Sequence, residues 1–584
     1  MKLATRSPQP TVQERTMRLD DGTRIFYRAW LPARPARRAV VCFHRGHEHS
    51  GRLADVVEAL GFEDAAVFAW DARGHGLSEG ERGFAPSFGR MVRDVDEFMH
   101  HVAATHGIAP EDTIVLAHSV GAVAVTTWVH DYAPRIRGLV LATPAFRVKL
   151  YVPFAIPGLK LLDRLRPGRA RVKSYVKSRM LTHDAEQARR YDADPLIEKG
   201  IAVHILLQMR AAADRIVADA GAIRVPTLLL TGGADWVVDT RIQQRFFDRL
   251  GATRKRQRVF PGLYHDILHE KEREPVLAEI RRFVQDSFED APARRPLLDA
   301  DRYGYTSEEH GRLTRPPRFR LPFAIQRAAL HTVGRLSRGM RLGLQSGFDS
   351  GRTLDYVYEN RPRGALGVGR LIDRNYLESI GWRGIRQRKV HLEELLAAAM
   401  QAAAAEHGRV RVLDVATGAG RYVLDAIAAH PELAVTAILR DNVRENLVTG
   451  AAHADRMGLR GIRYEIGDAF DEEQIARTDA NVVIVSGLYE LFVANDPVRT
   501  SLRGIARALR KTGGHLVYTG QPWHPQLEMI ARVLPDRNGE AWAMRRRTQE
   551  EMDDLVREAG FEKTAQRIDE HGIFTVSLAR IERA

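Results

Sequence analysis

Short apolar runs rich in β-branched residues recur along this chain, and longer segments with helical periodicity separate them. From about Thr16 to Phe288 the runs are AVVCF, AAVFAW, TIVLAHS, GLVLAT, PTLLLTG and RQRVF. This alternation is typical of an α/β fold with a parallel sheet. It restarts at about Val390 with RVRVLDVA, AVTAIL, IRYEIGDAF, NVVIVSGL and HLVYTG. We therefore predict two α/β domains.

The 584 residues exceed what one ordinary core accommodates, which agrees with two large domains. We place the first domain at residues 1–290 and the second at 349–584. Residues 146–223 break the strand–helix rhythm, so we expect a mostly helical insertion over the first sheet. Residues 291–348, rich in proline and arginine, are expected to form a linker.

The composition is that of a globular protein, with 44% hydrophobic and 28% charged residues. No run of ~18 apolar residues and no signal-like start is present, so we expect a cytoplasmic protein. The single cysteine, Cys42, lies in an apolar run and is expected in the core. The net charge of +14 raises the question of nucleic acid, but no zinc-ligand spacing or RNA-binding aromatic signature accompanies it. We expect no nucleic-acid partner, and the oligomeric state is left open.

The strongest local charge bias lies in the predicted linker. Residues 310–348 contain eight arginines, no lysine and no acidic residue. At 100° per residue, a helix here places an apolar stripe opposite an arginine face. The stripe consists of Ile325, Ala329, Val333, Leu336 and Met340, and the opposite face of Arg327, Arg335, Arg338 and Arg341. Two interpretations stay open: a helix packed on one domain, or peripheral contact with an anionic membrane surface.

A turn of small residues stands between a strand and a helix in TIVLAHSVGAVAV, with Ser119 at its apex. It has the G-x-S-x-G form of a nucleophile elbow, with Ala117 in place of the first glycine and Gly121 as the last. Small residues are needed because the strand and the helix approach closely there. Alone, the motif is equally compatible with an ordinary turn.

Two further segments supply the partners that a nucleophilic serine needs. PTLLLTGGADWVVD ends an apolar strand in Asp235, and VFPGLYHDILHE places His265 just after the last strand. The order serine, acid, histidine is that of α/β-hydrolases. In such a site the histidine removes the serine proton and the aspartate orients the ring. Asp239 and His269, four residues further on, are the alternates.

Residues 16–288 resemble the monoacylglycerol lipase and lysophospholipase group of α/β-hydrolases, which is similar to serine aminopeptidase S33. The matching pieces are HRGHEHSGR at 44–52, FAWDARGHGLSEGERG at 68–83, AHSVG at 117–121, YDADPLI at 191–197, GGADWVVD at 232–239 and YHDILHE at 264–270. The resemblance implies a serine esterase or lipase with a cap at 146–223, acting on a small lipid-like ester. It places the oxyanion donors at Gly46 and Val120. Arg45 stands where the family commonly has glycine, and would favour an anionic ester.

A cluster of His44, His47, Glu48 and His49 follows the first buried strand and imitates a metal site. It lies in a loop without the fixed i, i+4 spacing of a helix, so we expect no metal.

The second domain opens with RVRVLDVATGAGRY, a strand that ends in Asp414 and a turn that contains Gly418 and Gly420. No glycine follows at the offset of the dinucleotide-binding motif. The segment instead resembles motif I of class I S-adenosylmethionine-dependent methyltransferases. That resemblance implies S-adenosyl-L-methionine as the cofactor, Asp441 near its ribose, and Asp468 with Ala469 near its adenine.

The match to class I methyltransferases covers about residues 385–580. More narrowly, VSGLYELF, TGQPWHPQLEMIA and AWAMRRRTQEEMDDLV resemble a bacterial methyltransferase group often joined to such hydrolases. Tyr489, Glu490 and His524 are candidates for the methyl acceptor's site. The Asn-Pro-Pro-Tyr signature of amino methylation is missing, so the accepting atom is open. We predict a bifunctional enzyme; the alternative is a hydrolase joined to an inactive methyltransferase-like ligand-binding or scaffold domain.

Overall fold

The computed structural model describes residues 11–290, 294–365 and 367–583. The chain divides into two compact units between Arg294 and Arg295. Each unit has a sheet flanked by helices, which confirms the predicted α/β class. Among the helices of the described residues, none combines the length and apolar character needed to span a bilayer.

The described residues of the first unit form ten strands. They are β1 (Thr11–Arg18), β2 (Arg24–Leu31), β3 (Ala39–Phe43), β4 (Ala66–Trp70), β5 (Thr113–His118), β6 (Gly138–Ala142), β7 (Arg171–Lys173), β8 (Gly200–Ala202), β9 (Thr227–Gly232) and β10 (Lys255–Phe260). Eight form one sheet in the order β1-β2-β4-β3-β5-β6-β9-β10, parallel from β4 to β10. Strands β3 to β6 and β9 are buried along their whole length, which explains their uninterrupted apolar runs.

The same described residues form eight α-helices. They are α1 (Ala54–Leu60), α2 (Phe88–His106), α3 (Ser119–Tyr132), α4 (Ala155–Leu165), α5 (Ala185–Ala193), α6 (Val203–Ala218), α7 (Thr240–Arg249) and α8 (Glu274–Glu289). Local capping fixes the ends of α2: the Ser87 side chain accepts a hydrogen bond from the Arg90 N–H, and Gly107 ends the helix in the left-handed conformation. Parallel strands joined by such helices bring their carboxyl ends to one edge of the sheet.

The insertion at residues 146–223 holds α4, α5 and α6, and also a two-stranded ribbon of β7 and β8 that the sequence analysis does not predict. It lies against the loops at the carboxyl edge of the sheet. His49 contacts Asp194 at 3.0 Å, and the Asp266 N–H donates to the Leu181 carbonyl at 2.8 Å.

In the second unit, the part of the chain that the structure describes forms seven strands. They are β11 (Val410–Asp414), β12 (Val435–Asp441), β13 (Ile462–Ile466), β14 (Val482–Val485), β15 (His515–Gly520), β16 (Glu562–Ile568) and β17 (Thr575–Arg580). The order is β13-β12-β11-β14-β15-β17-β16; β17 runs antiparallel to both β15 and β16, and the other pairs are parallel. The strand order reverses between β11 and β14. In open α/β sheets, ligands bind in the crevice at such a switch point.

Twelve α-helices belong to the described part of the second unit. They are α9 (Tyr305–Thr314), α10 (Leu321–His331), α11 (Arg338–Ser346), α12 (Gly351–Glu359), α13 (Val368–Leu377), α14 (Ile380–His407), α15 (Arg421–Ala429), α16 (Arg444–Arg456), α17 (Glu472–Ala476), α18 (Asn495–Leu509), α19 (Leu527–Val533) and α20 (Gln549–Glu558). Helix α14 packs its apolar side on the sheet through residues such as Leu392, Leu396 and Met400.

The prediction of a linker at residues 291–348 is wrong for its described part. Residues from 295 onward belong to the second unit, and α9 and α10 pack against α19. Residues 291–293 lie outside the described residues. The linker composition misled the prediction because its few apolar side chains are enough to join the core of the second unit.

The prediction of one basic amphipathic helix is also wrong. The helix breaks between α10 and α11, where the Asp373 carboxylate accepts hydrogen bonds from the Ser337 hydroxyl at 2.5 Å and the Gly339 N–H at 2.8 Å. Two residues of the predicted stripe are exposed, Ile325 by 60% and Val333 by 55%, whereas Leu330, which lies off that stripe, is buried. The tertiary hydrogen bonds to Asp373 therefore override the helical periodicity, and the basis for an anionic-surface helix is lost.

Candidate active sites

The first site is built on the turn between β5 and α3. Ser119 begins α3 with a φ of +54°, a left-handed conformation that non-glycine residues rarely adopt. A Cβ atom at Gly121 would lie 2.3 Å from the His44 carbonyl oxygen, so this position has room only for glycine. Ala117 is fully buried, and its methyl group is accommodated where the motif has its first glycine.

The structure brings the three predicted catalytic residues into one hydrogen-bonded row. The Ser119 Oγ lies 2.7 Å from the His265 Nε2, and the His265 Nδ1 lies 2.7 Å from the Asp235 Oδ2. All three side chains are buried. With the Nδ1 proton donated to the carboxylate, the Nε2 is left free to accept the hydroxyl proton of Ser119.

The Asp235 carboxylate is held in its charged form. Burial by itself would raise the pKa of Asp235, but the His265 ring and two backbone N–H groups lower that pKa below its usual value. These N–H groups belong to Val237 and Val238 and donate to Oδ1 at 2.7 and 2.9 Å. The second oxygen, Oδ2, is thereby directed to the histidine.

The alternates lie elsewhere. The His269 ring contacts the Asp266 carboxylate at 2.9 Å and the Arg52 carbonyl at 2.7 Å, so both of its nitrogens are occupied. Asp239 caps the first turn of α7 by accepting the Arg241 N–H. Neither residue contacts Ser119 or His265 in the hydrogen bonds of the described residues.

Gly46 and Val120 lie side by side, as oxyanion donors must. A Cβ atom at Gly46 would approach the Val120 side chain to 3.0 Å. Val120 is the second residue of α3, where a backbone N–H has no partner within its own helix. The two residues therefore approach each other beside Ser119, one in the loop after β3 and the other at the start of α3.

Arg45 does not act as the sequence analysis expects. Its side chain is 4% exposed, and its guanidinium lies 2.8 Å from the Glu48 carboxylate and 3.4 Å from that of Asp266. It also stacks over the Tyr191 ring at 4.7 Å. Two carboxylates already neutralise this charge, so the expectation that Arg45 selects an anionic head group is wrong.

The histidines after β3 also have internal partners. The His44 Nε2 accepts the Ala72 N–H at 3.0 Å, the His47 Nδ1 contacts the Glu198 carbonyl at 2.5 Å, and His49 contacts a cap aspartate. Within the described ranges, no group of three or more His, Cys, Asp or Glu side chains is arranged to hold a metal ion. This cluster therefore shapes the loop and joins it to the cap.

The second site lies at the switch point of the second sheet. Gly418 and Gly420 adopt φ values of +57° and +68° in the turn between β11 and α15. No atom lies within 4 Å of a Cβ built at Gly418, so the loop leaves open space above it. Asp414 is fully buried below the turn. Burial raises the pKa of Asp414 to about 7, although the Tyr422 hydroxyl donates to this carboxyl group at 2.5 Å.

Asp441 ends β12 directly beside this turn. One of its carboxylate oxygens accepts the Gly418 N–H at 2.8 Å, and the other accepts the Val443 N–H at 2.9 Å. Its late position in the sequence arises because β12 continues two residues beyond Leu439, the partner of Asp414 in the sheet. Asp468 and Ala469 follow the end of β13.

Of the three residues predicted for the acceptor's site, one is buried in the core and two line a cavity. Tyr489 is 2% exposed and its hydroxyl donates to the Ser501 Oγ at 2.9 Å in the core behind β14, so the prediction that Tyr489 contacts substrate is wrong. Glu490 and His524 both line one cavity of about 500 Å³ in the second unit. The Tyr489 ring is buried because apolar residues surround it in the fold, and the local sequence does not show those neighbours.

Sequence reasoning missed Arg388, a buried arginine of α14 that lines the same cavity. Its Nη1 lies 3.9 Å from the Glu490 Oε1. Nothing in the segment RQRKVHLEELL marks this arginine among its neighbours, because the helix face it occupies is defined only by packing.

The comparisons agree with two joined functional units. Residues 280–581 match the family model described as "Putative methyltransferase", and residues 34–272 match that of "Serine aminopeptidase, S33". The chain therefore belongs to this methyltransferase family and carries a lipase-like α/β-hydrolase domain in its first half. It is 48% identical over 568 residues to "Uncharacterized protein YnbC" of Escherichia coli K12, covering 96% of this chain and 97% of that protein.

The first half alone is similar to two further proteins. A monoacylglycerol lipase of Mycolicibacterium smegmatis is 30% identical over 270 residues, which are 45% of this chain and 93% of the relative. A solved monoacylglycerol lipase of Paleococcus ferrophilus is 26% identical, with a TM-score of 0.41, and covers 45% of this chain and 99% of its own.

Proposed function

We propose that the first unit is a serine esterase that cleaves a carboxylic ester of a small lipid-like molecule, of the monoacylglycerol or lysophospholipid type. The row of 2.7 Å contacts from Ser119 through His265 to Asp235 carries this proposal. The relative in M. smegmatis named monoacylglycerol lipase supports the substrate class.

Each residue has a defined task in this proposal. The Ser119 Oγ attacks the ester carbonyl carbon while the His265 Nε2 takes the hydroxyl proton. The Gly46 and Val120 N–H groups stabilise the oxyanion, and His265 then protonates the departing alcohol. Water attacks the acyl-enzyme by the same route, which releases the acid and restores the serine.

The cap supports an apolar substrate. Several of its large apolar side chains are exposed, which is unusual for a surface without a ligand to bind. They are Leu150, Tyr151, Val152, Phe154, Leu161 and Leu165. Phe154, at 85%, is the most exposed of them.

Labelling with a serine-directed fluorophosphonate tests the nucleophile. We expect the wild-type full chain and the cap variant Ser174→Ala to be labelled and to hydrolyse monoacylglycerol. Ser119→Ala should lose labelling, and its kcat should fall by about 10⁴-fold or more. Labelling that persists in Ser119→Ala would contradict the assignment.

We propose that the second unit is a methyltransferase that uses S-adenosyl-L-methionine. The residues present fit that molecule: open space above Gly418 admits a ligand, and the Asp441 carboxylate beside it suits ribose hydroxyls. Asp468 and Ala469 would lie near the adenine. When bound, the cofactor supplies a methyl group activated by its sulfonium.

Equilibrium binding of S-adenosyl-L-methionine to the full chain tests this proposal. Loss of a charged hydrogen bond costs about 1.5–3 kcal/mol, so Asp441→Asn should weaken binding by about 10- to 100-fold. Asp479→Ala, an exposed change outside the site, should bind as the wild type does. Absence of wild-type binding would refute the proposal, and binding without transfer to any acceptor would favour the scaffold alternative.

A further inference from the structure

The cavity that Glu490 and His524 line has mostly apolar walls. Helices from the segment predicted as a linker form one side, α13 and α14 a second, and α19 with the loop before β17 a third. Their side chains include Leu330, Tyr376, Trp382, Met529 and Phe574. At about 500 Å³ it lies within the size range of small-molecule sites. Aromatic walls of this kind favour a ligand with an apolar body and a ring.

One part of the cavity is polar and lies at the carboxyl edge of β14 and β15. The Glu490 side chain is 10% exposed; its Oε1 accepts the Thr519 hydroxyl at 2.8 Å, and its Oε2 has no hydrogen-bond partner among the described residues. A buried carboxylate oxygen without a donor is costly. A ligand that donates a hydrogen bond would satisfy it.

Two of the other polar residues of the cavity are donors, and a second carboxylate in the lining, Asp349, is ion-paired with Arg537. The His524 Nδ1 accepts the Gln526 N–H at 3.0 Å, so the proton of the neutral ring lies on Nε2. Burial lowers the pKa of His524 to about 4, which keeps the ring neutral. Arg388 adds a buried guanidinium beside Glu490. Glu490 as acceptor and these two donors match a hydroxyl group, which both donates and accepts.

The polar part is close to the predicted cofactor turn. Gly487 lines the cavity and follows β14, the strand that pairs directly with β11. Its N–H donates to the Thr519 Oγ1 at 2.8 Å, the same hydroxyl that contacts Glu490. The loops after β14 and β15 therefore join the cavity to the switch point.

We propose that this cavity binds the methyl acceptor, and that the acceptor is an apolar molecule with a phenolic or enolic hydroxyl whose proton Glu490 accepts. The proposal rests on the proposed methyltransferase function. The acceptor's oxygen–carbon bond forms as the carbon–sulfur bond of the sulfonium breaks, and the hydroxyl proton passes to the Glu490 carboxylate. Arg388 favours the phenolate form by its charge. An aliphatic alcohol is a poorer match, because a carboxylate is too weak a base for it.

Probe binding to the full chain, without S-adenosyl-L-methionine, tests the cavity. The probes are 4-nonylphenol, 4-nonylanisole, which lacks the donor, and phenol, which lacks the tail; quenching of tryptophan fluorescence reports binding beside Trp382. We expect 4-nonylphenol to bind at least about tenfold more tightly than 4-nonylanisole, since one charged hydrogen bond contributes about 1.5–3 kcal/mol. Phenol should also bind more weakly, because it lacks the apolar tail that the cavity walls bury.

Three variants assign the binding to this site. Glu490→Gln should abolish the preference for 4-nonylphenol over 4-nonylanisole, and Glu562→Gln on an exposed part of β16 should keep it. Ala329→Trp, an otherwise exposed position on the cavity wall, should block all three probes without loss of folding. Equal binding of the phenol and the anisole by the wild type, or a preference that survives Glu490→Gln, would overturn the proposal.

The cofactor experiment separates this proposal from the function on which it rests. Binding of S-adenosyl-L-methionine without probe selectivity would leave the methyltransferase function in place and refute the cavity assignment. Selective probe binding by a chain that does not bind the cofactor would refute the function instead. With both bound, conversion of 4-nonylphenol to 4-nonylanisole is expected, and Glu490→Gln should slow it most at low pH.

Discussion

Replacing Asp235 by asparagine should disable the first site by reversing the His265 tautomer. Two backbone N–H groups hold one side-chain oxygen of residue 235, and asparagine can satisfy them only with its amide oxygen. Its NH₂ group then faces the His265 Nδ1, which must become an acceptor. The ring proton moves to Nε2, which lies 2.7 Å from the Ser119 Oγ. A protonated Nε2 cannot accept the hydroxyl proton of Ser119.

A wrong tautomer of this kind lowers kcat by about 10⁴-fold, equivalent to about 5 kcal/mol of activation free energy. Hydrolysis of a p-nitrophenyl ester by the purified full chain measures it, with thermal unfolding as the check on folding. Asp239→Asn is the matched control, because asparagine also caps a helix, and it should keep wild-type kcat. A folded Asp235→Asn variant within tenfold of wild type would refute the reasoning.

Three further changes test the packing and charge around the first site. Gly121→Ala places a methyl group against a backbone oxygen and should lower the free energy of unfolding by about 1–3 kcal/mol. Gly158→Ala, whose added methyl group would lie in open space, is the control and should be neutral or stabilising. Thermal unfolding compares the two variants. Burial alone would lower the pKa of His269, but the neighbouring carboxylates raise that pKa to about 10. The charged His269 therefore contributes its full stabilisation below pH 6.5, and this contribution is lost as the pH rises through 10. His269→Gln should therefore show a smaller fall in unfolding temperature than the wild type between those pH values, and an unchanged fall would contradict this. Arg45→Met removes one cationic partner from each of two buried carboxylates, Glu48 and Asp266, which keep Arg52 and His269 as partners; it should cost about 1–3 kcal/mol. The ratio of kcat/KM for lysophospholipid and monoacylglycerol should not change.

The central strands of both sheets could be predicted because burial on both faces leaves an apolar run in the sequence. Strands with one face in contact with solvent leave no such apolar run in the sequence. β1, TVQERTMR, is exposed at most of its positions, and β16, EKTAQRI, is half-exposed, so neither interrupts the polar pattern around it. β1 joins its sheet by pairing with β2, and β16 joins its sheet by pairing with β17. These pairings form only in the folded chain.

The hydrogen-bonded row of the first unit was predictable for a different reason. Ser119, Asp235 and His265 each follow a strand of one parallel sheet, so the topology gathers them at one edge once the strands are recognised. Tyr489 also follows such a strand, but its ring turns into the core behind β14. Position at a strand end brings a residue to the edge of the sheet, and packing then determines whether its side chain reaches the site.

The roles of the charged residues Arg45 and Arg388 also depend on packing and could not be predicted from their positions in the sequence. Both are buried arginines beside a predicted site, yet Arg45 has two carboxylates within 3.4 Å, whereas the carboxylate nearest to Arg388 among the described ion pairs is 3.9 Å away. A buried cation needs compensation, because its loss of hydration is otherwise too costly. Arg45 obtains that compensation within the fold. Arg388 lines a cavity and stacks on the Phe574 ring at 5.2 Å, so in the proposed acceptor site its charge favours an acceptor that develops negative charge when its hydroxyl proton leaves.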